Sequence, residues 1–213
     1  VIGEYTGNLN NDYEELLLKN SSGKIILDFN YFGDWYESTD GKGHSLNIVS
    51  EYRGPVFWSV KDGWRPSKSI HGSPGKGPDP YFSWAWDYFS ASAAMDSSVS
   101  GELEDPDNDN LANIAEYALS TDPLSNDEGS FHSVVDENGE RFMVLTHTIN
   151  GSATDVKIVL ERSPDLKTWS PVDPLSENYI YTELKNGIEQ RTTIDNVPIS
   201  LGVRRFYRLV IRR

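Results

Sequence analysis

From residue 129 to the end, the chain alternates apolar and polar residues with a period of two. Such alternation places successive side chains on opposite faces of an extended strand. The pairs Asn150-Gly151, Pro164-Asp165 and Asn186-Gly187 are turn sequences that divide the region. The pattern therefore predicts a small antiparallel β-sandwich over residues 129–213. Its predicted strands cover 141–149, 155–161, 179–184, 189–194 and 204–211.

Residues 1–78 are also predicted to be β-structure. The apolar stretches 16–18 and 25–31 flank the turn cluster Asn20-Ser-Ser-Gly23, which is a hairpin signal. A third strand is predicted over 45–49. The stretch from Gly72 to Pro78 is rich in glycine and proline and predicts a domain boundary.

Two amphipathic helices are predicted in the segment 79–128. Asp79-Pro80 suits a helix start, and apolar residues continue at helical spacing to about residue 94. A second helix begins near Leu111 and stops before Pro123. We expect these helices to pack against each other. The apolar positions of the second helix are Leu111, Ile114, Ala115, Ala118 and Leu119.

The residues that connect the two helices have the spacing of a calcium loop. Oxygen-bearing residues occupy positions 1, 3, 5, 9 and 12, and the backbone carbonyl of position 7 completes the pattern. Asn110 stands at position 6 in place of the usual glycine, and asparagine tolerates the left-handed conformation needed there. The alternative is an acidic surface turn. The predicted calcium ligands are Asp105, Asp107, Asp109, the Leu111 carbonyl, Asn113 and Glu116.

The string DPDNDNLANIAEYALSTDP, residues 105–123, resembles thrombospondin type 3 and dockerin-like calcium repeats of large secreted bacterial proteins. The resemblance implies that Asp105, Asp107, Asp109, Asn113 and Glu116 are ligands. It places Asp122 where such repeats often continue. The segment ahead of the loop also resembles the sequence that precedes these repeats.

The N-terminal region resembles the C-terminal part of a lamin-tail domain. The features that carry the resemblance are the glycine-containing hairpin, Trp35, the stretch 40–46, Trp64-Arg-Pro-Ser67 and the stretch 71–75. The resemblance implies an immunoglobulin-like β-sandwich portion whose opening strands lie outside this chain or come from another chain. Trp35, Trp58 and Trp64 favour a packed β-core over a sugar-binding strip. Residues 160–170 and 205–209 resemble a terminal β-module of secreted proteins.

Charge and composition narrow the classes of partner. The net charge of −14 argues against nucleic acid and anionic membranes. No apolar run is long enough for membrane insertion. The chain lacks cysteine, so disulfides and thiol catalysis are excluded, and calcium would serve as a staple. Because the first residue is Val and no signal peptide is visible, we expect a fragment or a processed product.

No motif for catalysis stands out, and the four histidines, His44, His71, His132 and His147, are scattered. We therefore expect a non-enzymatic, calcium-stabilised C-terminal segment of a secreted or cell-surface bacterial protein, for adhesion or assembly. The alternatives are the accessory tail of a secreted hydrolase or spore-coat-type kinase, and a polysaccharide-binding module. Expected partners are the rest of a parent chain, another protein chain and cell-surface polysaccharide. Calcium is expected to clamp the two β-regions, with the C-terminal sandwich staying folded without it.

Overall fold

The computed structural model describes residues 7–50, 53–126, 130–173, 178–183 and 187–213, and these are mainly β-structure in antiparallel sheets. The chain divides into two compact units, Val1–Asp79 and Pro80–Arg213. We call them the N-terminal unit and the C-terminal unit. The division lies just after the glycine- and proline-rich stretch that ends at Pro78, at the start of the first predicted helix. The other boundary suggested by the sequence, between residues 128 and 129, lies inside the C-terminal unit.

The N-terminal unit contains two separate antiparallel pairs of strands. The first is the predicted hairpin, with Leu16 opposite Phe29. In the second pair, Leu46 lies opposite Pro66. The later strand of that pair was not predicted, because its proline and its lack of alternation hide it. The elements are β1 Tyr13–Lys19, β2 Ile25–Phe32, β3 His44–Ile48, the short helix α1 Pro55–Trp58 and β4 Trp64–Ile70.

An aromatic cluster forms the centre of the N-terminal unit. Phe29 is 7% exposed, and its ring centroid lies 5.3 Å from that of Trp64 and 6.3 Å from that of Trp58. Trp35 also lies 6.3 Å from Trp64. The indole nitrogen of Trp58 donates to the Ser50 carbonyl at 3.0 Å. These contacts place all three tryptophans in packing roles.

The C-terminal unit begins with three helices, α2 Pro80–Tyr88, α3 Ala91–Ala94 and α4 Asn113–Leu119. The prediction of one continuous helix over residues 80–94 is wrong. Ser90 has extended backbone angles, and its Oγ accepts the Ala93 N–H at 3.3 Å. A serine that caps a new helix ends the previous one, so the aromatic stretch is split into two helices.

Two sheets make up the rest of the C-terminal unit. One has the order β5-β6-β10-β9 and the other β11-β7-β8. Residues of both sheets line one cavity of about 50 Å³, among them Leu145 and Leu160. Strands β5 and β8 were not predicted. The strands are β5 Ser130–Glu137, β6 Glu140–Asn150, β7 Lys157–Ser163, β8 Ser170–Pro171, β9 Asn178–Glu183, β10 Ile188–Ile194 and β11 Phe206–Arg212.

Helix α4 packs against α2 and against strand β6. The ring of Tyr117 lies 5.3 Å from Tyr81 and 5.6 Å from Trp84, which confirms the predicted pairing of the two helices. The Tyr117 hydroxyl donates to Asp155 at 2.6 Å, and the Asn150 amide donates to the Tyr117 carbonyl at 3.0 Å. The helical segment and the strands are therefore joined by buried contacts.

None of the helices in the described part of the chain is both long enough and apolar enough to cross a membrane.

Candidate metal centre

The start of helix α4 is fixed by backbone groups of the segment just before the acidic loop. The N–H of Asn113 donates to the Glu104 carbonyl at 2.8 Å, and the N–H of Ile114 donates to the Glu102 carbonyl at 3.0 Å. A Cβ atom on Gly101 would lie only 2.3 Å from the Ser97 carbonyl oxygen. This close approach requires glycine at position 101. The two hydrogen bonds from Asn113 and Ile114 bring the ends of the loop together.

Three aspartates converge in the loop between these ends. Asp105, Asp107 and Asp109 each offer a carboxylate oxygen, and these oxygens lie within 4.8 Å of one another. Asp105 accepts the N–H groups of Asp109 at 3.2 Å and Asn110 at 3.0 Å. The N–H of Leu111 donates to Asp109 at 2.7 Å. Backbone donors thus hold the carboxylates on the inner side of the turn.

Asparagine residues provide the tight curvature of this loop. Asn108 has a φ of 62° and Asn110 a φ of 75°. These values lie in the left-handed region, which most side chains avoid and asparagine tolerates. The left-handed conformation expected at Asn110 is confirmed, and Asn108 shows the same conformation without having been predicted to.

Glu116 is the most unusual residue of the centre. Its side chain is completely buried, and neither carboxylate oxygen has a hydrogen-bond partner among the described residues. Burial raises the pKa of Glu116 to about 8, and the negative charges of Asp107, Asp109 and Asp105 add to the rise. Glu116 lies outside the group of three oxygens within 4.8 Å. A buried carboxylate without a donor is costly unless a cation compensates it.

Asp107 shows a weaker form of the same feature. Its Oδ2 atom is buried and has no hydrogen-bond partner among the described residues. Burial raises the pKa of Asp107, and the charges of Asp109 and Asp105 act in the same direction, while the Asp109 N–H opposes them. Asp107 Oδ2 in the turn and both carboxylate oxygens of Glu116 in α4 therefore lack hydrogen-bond donors among the described residues.

Asn113 connects the centre to the preceding segment. The residue is completely buried, and its side-chain nitrogen donates to the carbonyls of Val99 and Gly101, both at 2.9 Å. Its Oδ1 atom has no hydrogen-bond partner in the described part of the chain. The amide nitrogen thus has a structural role, and the oxygen is the group that could face a ligand.

Asp122 belongs to the surroundings of the centre, although the spacing of the loop does not include it. Its charge also raises the pKa of Glu116. Ser120 adopts a left-handed conformation with a φ of 60°, and the N–H of Thr121 donates back to the Glu116 carbonyl at 3.1 Å. This reversal returns the chain toward the loop. The sequence signals for Asp122 were the helix stop at Ser120-Thr-Asp-Pro123 and the resemblance to calcium repeats, which often continue at this position.

The structure gives two of the histidines defined surroundings. The ring Nδ1 of His44 lies 2.7 Å from the Ser67 carbonyl oxygen in the N-terminal unit. In the C-terminal unit His147 is 4% exposed, and burial together with the charge of Arg191 lowers its pKa to about 4. A neutral, buried His147 is typical of a packed sheet.

A search of family models, of curated proteins and of solved structures finds no match to the chain. Its function therefore has to be inferred from its own residues.

Proposed function

We propose that this chain is a non-catalytic, calcium-stabilised C-terminal segment of a secreted or cell-surface bacterial protein that serves adhesion or assembly. The observation that carries the proposal is the buried Glu116 carboxylate, which has no hydrogen-bond donor among the described residues and lies in the field of three loop aspartates. A bound cation removes this electrostatic cost. An acidic surface turn, the alternative explanation, would leave Glu116 exposed to water.

The chemistry of the donors favours calcium over other metals. Asp105, Asp107 and Asp109 offer carboxylate oxygens, Glu116 offers two more, and Leu111 offers its carbonyl. Asn113 contributes its Oδ1 directly or through water. Calcium takes six to eight oxygen ligands in a flexible arrangement, whereas magnesium retains several waters and zinc prefers nitrogen and sulfur. The proposed ligand set contains oxygen alone.

The proposed role of calcium is structural. Protein oxygens fill most of the coordination sphere in this ligand set, so little room is left for a substrate. Glu116 is followed directly by Tyr117, whose hydroxyl donates to Asp155 near the start of β7. The Leu119 carbonyl at the end of α4 accepts from the hydroxyl of Thr148 in β6. A metal that fixes α4 thus acts on contacts to the sheets of the C-terminal unit.

Isothermal titration calorimetry with calcium tests the proposal. We expect the full chain to bind one calcium ion with a Kd of roughly 10⁻⁴ to 10⁻³ M, the range of extracellular calcium modules. The Glu116→Gln variant removes the negative charge of the proposed bidentate ligand. It should weaken calcium binding at least about tenfold, because a charged carboxylate ligand is replaced by a neutral amide.

The matched control is Glu104→Gln. Glu104 is exposed, adjoins the loop in sequence, and supplies only its backbone carbonyl to the centre. The control removes the same charge and should bind calcium like the unmodified chain. If the two variants bound calcium equally well, Glu116 would not be a ligand, and if the unmodified chain bound none, the calcium proposal would be wrong.

The proposal includes the architecture of both β-regions. The N-terminal unit is the C-terminal portion of a lamin-tail-like, immunoglobulin-like sandwich, and the two sheets of the C-terminal unit form a second sandwich. The cavity lined by both sheets supports the second statement. The lamin-tail-like portion is supported by exposed apolar side chains near the turn of the β1–β2 hairpin. Leu17, Leu18, Ile25 and Ile26 are 42–58% exposed. The remainder of the parent chain or another protein chain would cover them.

A further inference from the structure

A groove of about 640 Å³ runs along strand β3 in the N-terminal unit. All six residues from Ser45 to Ser50 line it. Because successive side chains of a strand point to opposite faces, a groove that touches six consecutive residues follows the backbone edge of the strand. Trp64 and Arg65 of β4 also line the groove, and a second wall is formed by the segment from His71 to Pro74 together with Lys76 and Pro78.

The edge of β3 that faces away from β4 has no strand beside it in the described part of the chain. Asn47 lies opposite Arg65, and the Val49 N–H donates to the Gly63 carbonyl at 2.9 Å. In an antiparallel pair the backbone groups of alternate residues point toward the partner strand. The N–H and C=O groups of Leu46 and Ile48 therefore point away from β4 and toward the groove.

The charges of the groove are opposite to those of the whole protein. The chain carries a net charge of −14. Yet the described residues that line the groove include Arg65, His71 and Lys76 and no aspartate or glutamate. Arg65 is 3% exposed and lies at the floor, while His71 and Lys76 lie on the exposed wall. This arrangement is complementary to a ligand with negative charges.

We propose that this groove binds an extended acidic peptide segment, which pairs with β3 as an added strand and places a carboxylate near Lys76 and His71. Strand addition uses the backbone groups of an open edge for affinity, and side-chain pockets give specificity. The stretch 45–50 spans about 20 Å at roughly 3.3 Å per residue, which suits a peptide of about six residues. The inference does not depend on calcium, since every residue involved lies in the N-terminal unit.

Fluorescence anisotropy with the full chain tests this inference. The probe is a fluorescein-labelled, end-blocked heptapeptide that alternates glutamate and valine. We expect saturable binding, and the same peptide with lysine in place of glutamate should bind at least about tenfold more weakly because it repels the basic wall. The Lys76→Glu variant should weaken binding of the acidic peptide at least about threefold. Lys24→Glu, an exposed site in the β1–β2 turn, makes the same charge change outside the groove and should leave binding unchanged.

Backbone pairing is tested by two N-methylated probes, one methylated at every valine nitrogen and the other at every glutamate nitrogen. The N–H groups of these two sets point to opposite edges of an extended peptide. One methylated probe should lose at least about tenfold in affinity, and the other should keep its affinity. Equal affinities for the two probes, absence of saturable binding, or displacement of the peptide by glucuronate would each overturn the proposal. Dimerisation of the chain that blocks the groove would likewise overturn it, in favour of a second copy as the occupant.

Discussion

The two compact units bury their hydrophobic residues to different extents. In the described part of the N-terminal unit, Phe29 is the only aromatic or large aliphatic residue that is buried, with 7% of its surface exposed. The C-terminal unit buries the aromatic residues Tyr81, Phe82, Trp84 and Tyr117 in its helical segment alone. Both units also expose large apolar residues. In the N-terminal unit they are Leu9, Tyr13, Leu17, Leu18, Ile25, Ile26, Phe32, Val56, Val60 and Ile70, and in the C-terminal unit they are Tyr88, Leu103, Leu124, Val134, Leu166, Ile180, Ile199, Leu201 and Val203.

This difference shows where each unit obtains its stability. Each fully buried aliphatic or aromatic side chain contributes about 1.5–3 kcal/mol. Two-stranded sheets are marginal in water without further strands or a packed face. The helical segment of the C-terminal unit forms a core of several buried aromatic residues, whereas Phe29 is the buried member of the aromatic cluster of the N-terminal unit.

The largest expected effect is the loss of the Tyr117 ring from the C-terminal core. Tyr117 is 1% exposed and contacts the rings of Tyr81 and Trp84. Tyr117→Ala should lower the free energy of unfolding of the C-terminal unit by about 3–5 kcal/mol, because a large cavity remains. Urea titration followed by tryptophan fluorescence and circular dichroism measures the change.

The matched control for this variant is Tyr88→Ala. Tyr88 is 37% exposed and also contacts Trp84, with ring centroids 5.3 Å apart. Its removal leaves little cavity and should cost less than about 1 kcal/mol. Equal losses for the two variants would contradict a core centred on Tyr117.

Acid should destabilise the C-terminal unit through His147. In the unfolded chain this side chain takes up a proton as the pH falls through about 6.5, whereas in the folded chain its pKa is about 4. Between these values the unfolded state binds more protons, so the free energy of unfolding falls as the pH falls from 6.5 to 4 and is highest above 6.5. The loss is at most about 3 kcal/mol.

Denaturant titrations between pH 4 and pH 7 measure this effect. The His147→Gln variant cannot titrate at this position, so its stability should depend less on pH over that range. His132 is exposed in the same unit, and His132→Gln should keep the pH dependence of the unmodified chain. If His147→Gln kept it as well, burial of the imidazole would not be its cause.

Removal of calcium should act mainly on the C-terminal unit. A ligand at about 100 times its Kd stabilises the folded state by about 2.7 kcal/mol. The sequence alone predicts that the strands after Arg141 stay folded without the metal. Because α4 packs on β6 and bonds to it through Thr148 and Asn150, we now expect a chelator to lower the melting temperature of that unit as a whole. Differential scanning calorimetry with and without EGTA tests this, and an unchanged melting profile would contradict a structural role for the metal.

The regular part of the fold could be predicted from the chain, and the exceptions have physical causes. The hairpin β1–β2 follows from two apolar stretches around a turn. Strand β4 was missed because it contains Pro66 and the wholly polar run 67–69, and because its pairing with β3 is a tertiary contact. The break at Ser90 was missed because serine at helical spacing gives no signal until its side chain caps the next helix.

In the candidate metal centre, too, some features are predictable from local sequence and others are not. The convergence of Asp105, Asp107 and Asp109 follows from local spacing. The influence of Asp122 on Glu116 was not predictable, because it requires the left-handed turn at Ser120. The structural use of the Asn113 amide depends on carbonyls twelve and fourteen residues earlier. Local patterns predict the loop, and tertiary contacts decide what surrounds it.

The smallest expected effect concerns the bond between Tyr117 and Asp155, which tests whether the C-terminal unit is one cooperative structure. Tyr117→Phe keeps the buried ring and removes the hydroxyl that donates to Asp155 at 2.6 Å. Loss of one such hydrogen bond costs about 1 kcal/mol, somewhat more because the acceptor is charged. Oδ1 of Asp155 loses this donor, while the charge of the carboxylate stays paired through the ion pair of its Oδ2 with Arg213 at 2.8 Å. Hydrogen exchange should then speed up equally at the amides of α4 and of β6, since the two elements open together. If exchange rose in α4 alone while β6 kept its protection, the helical segment and the strands would be separate units, divided near residue 128 as the sequence pattern suggests.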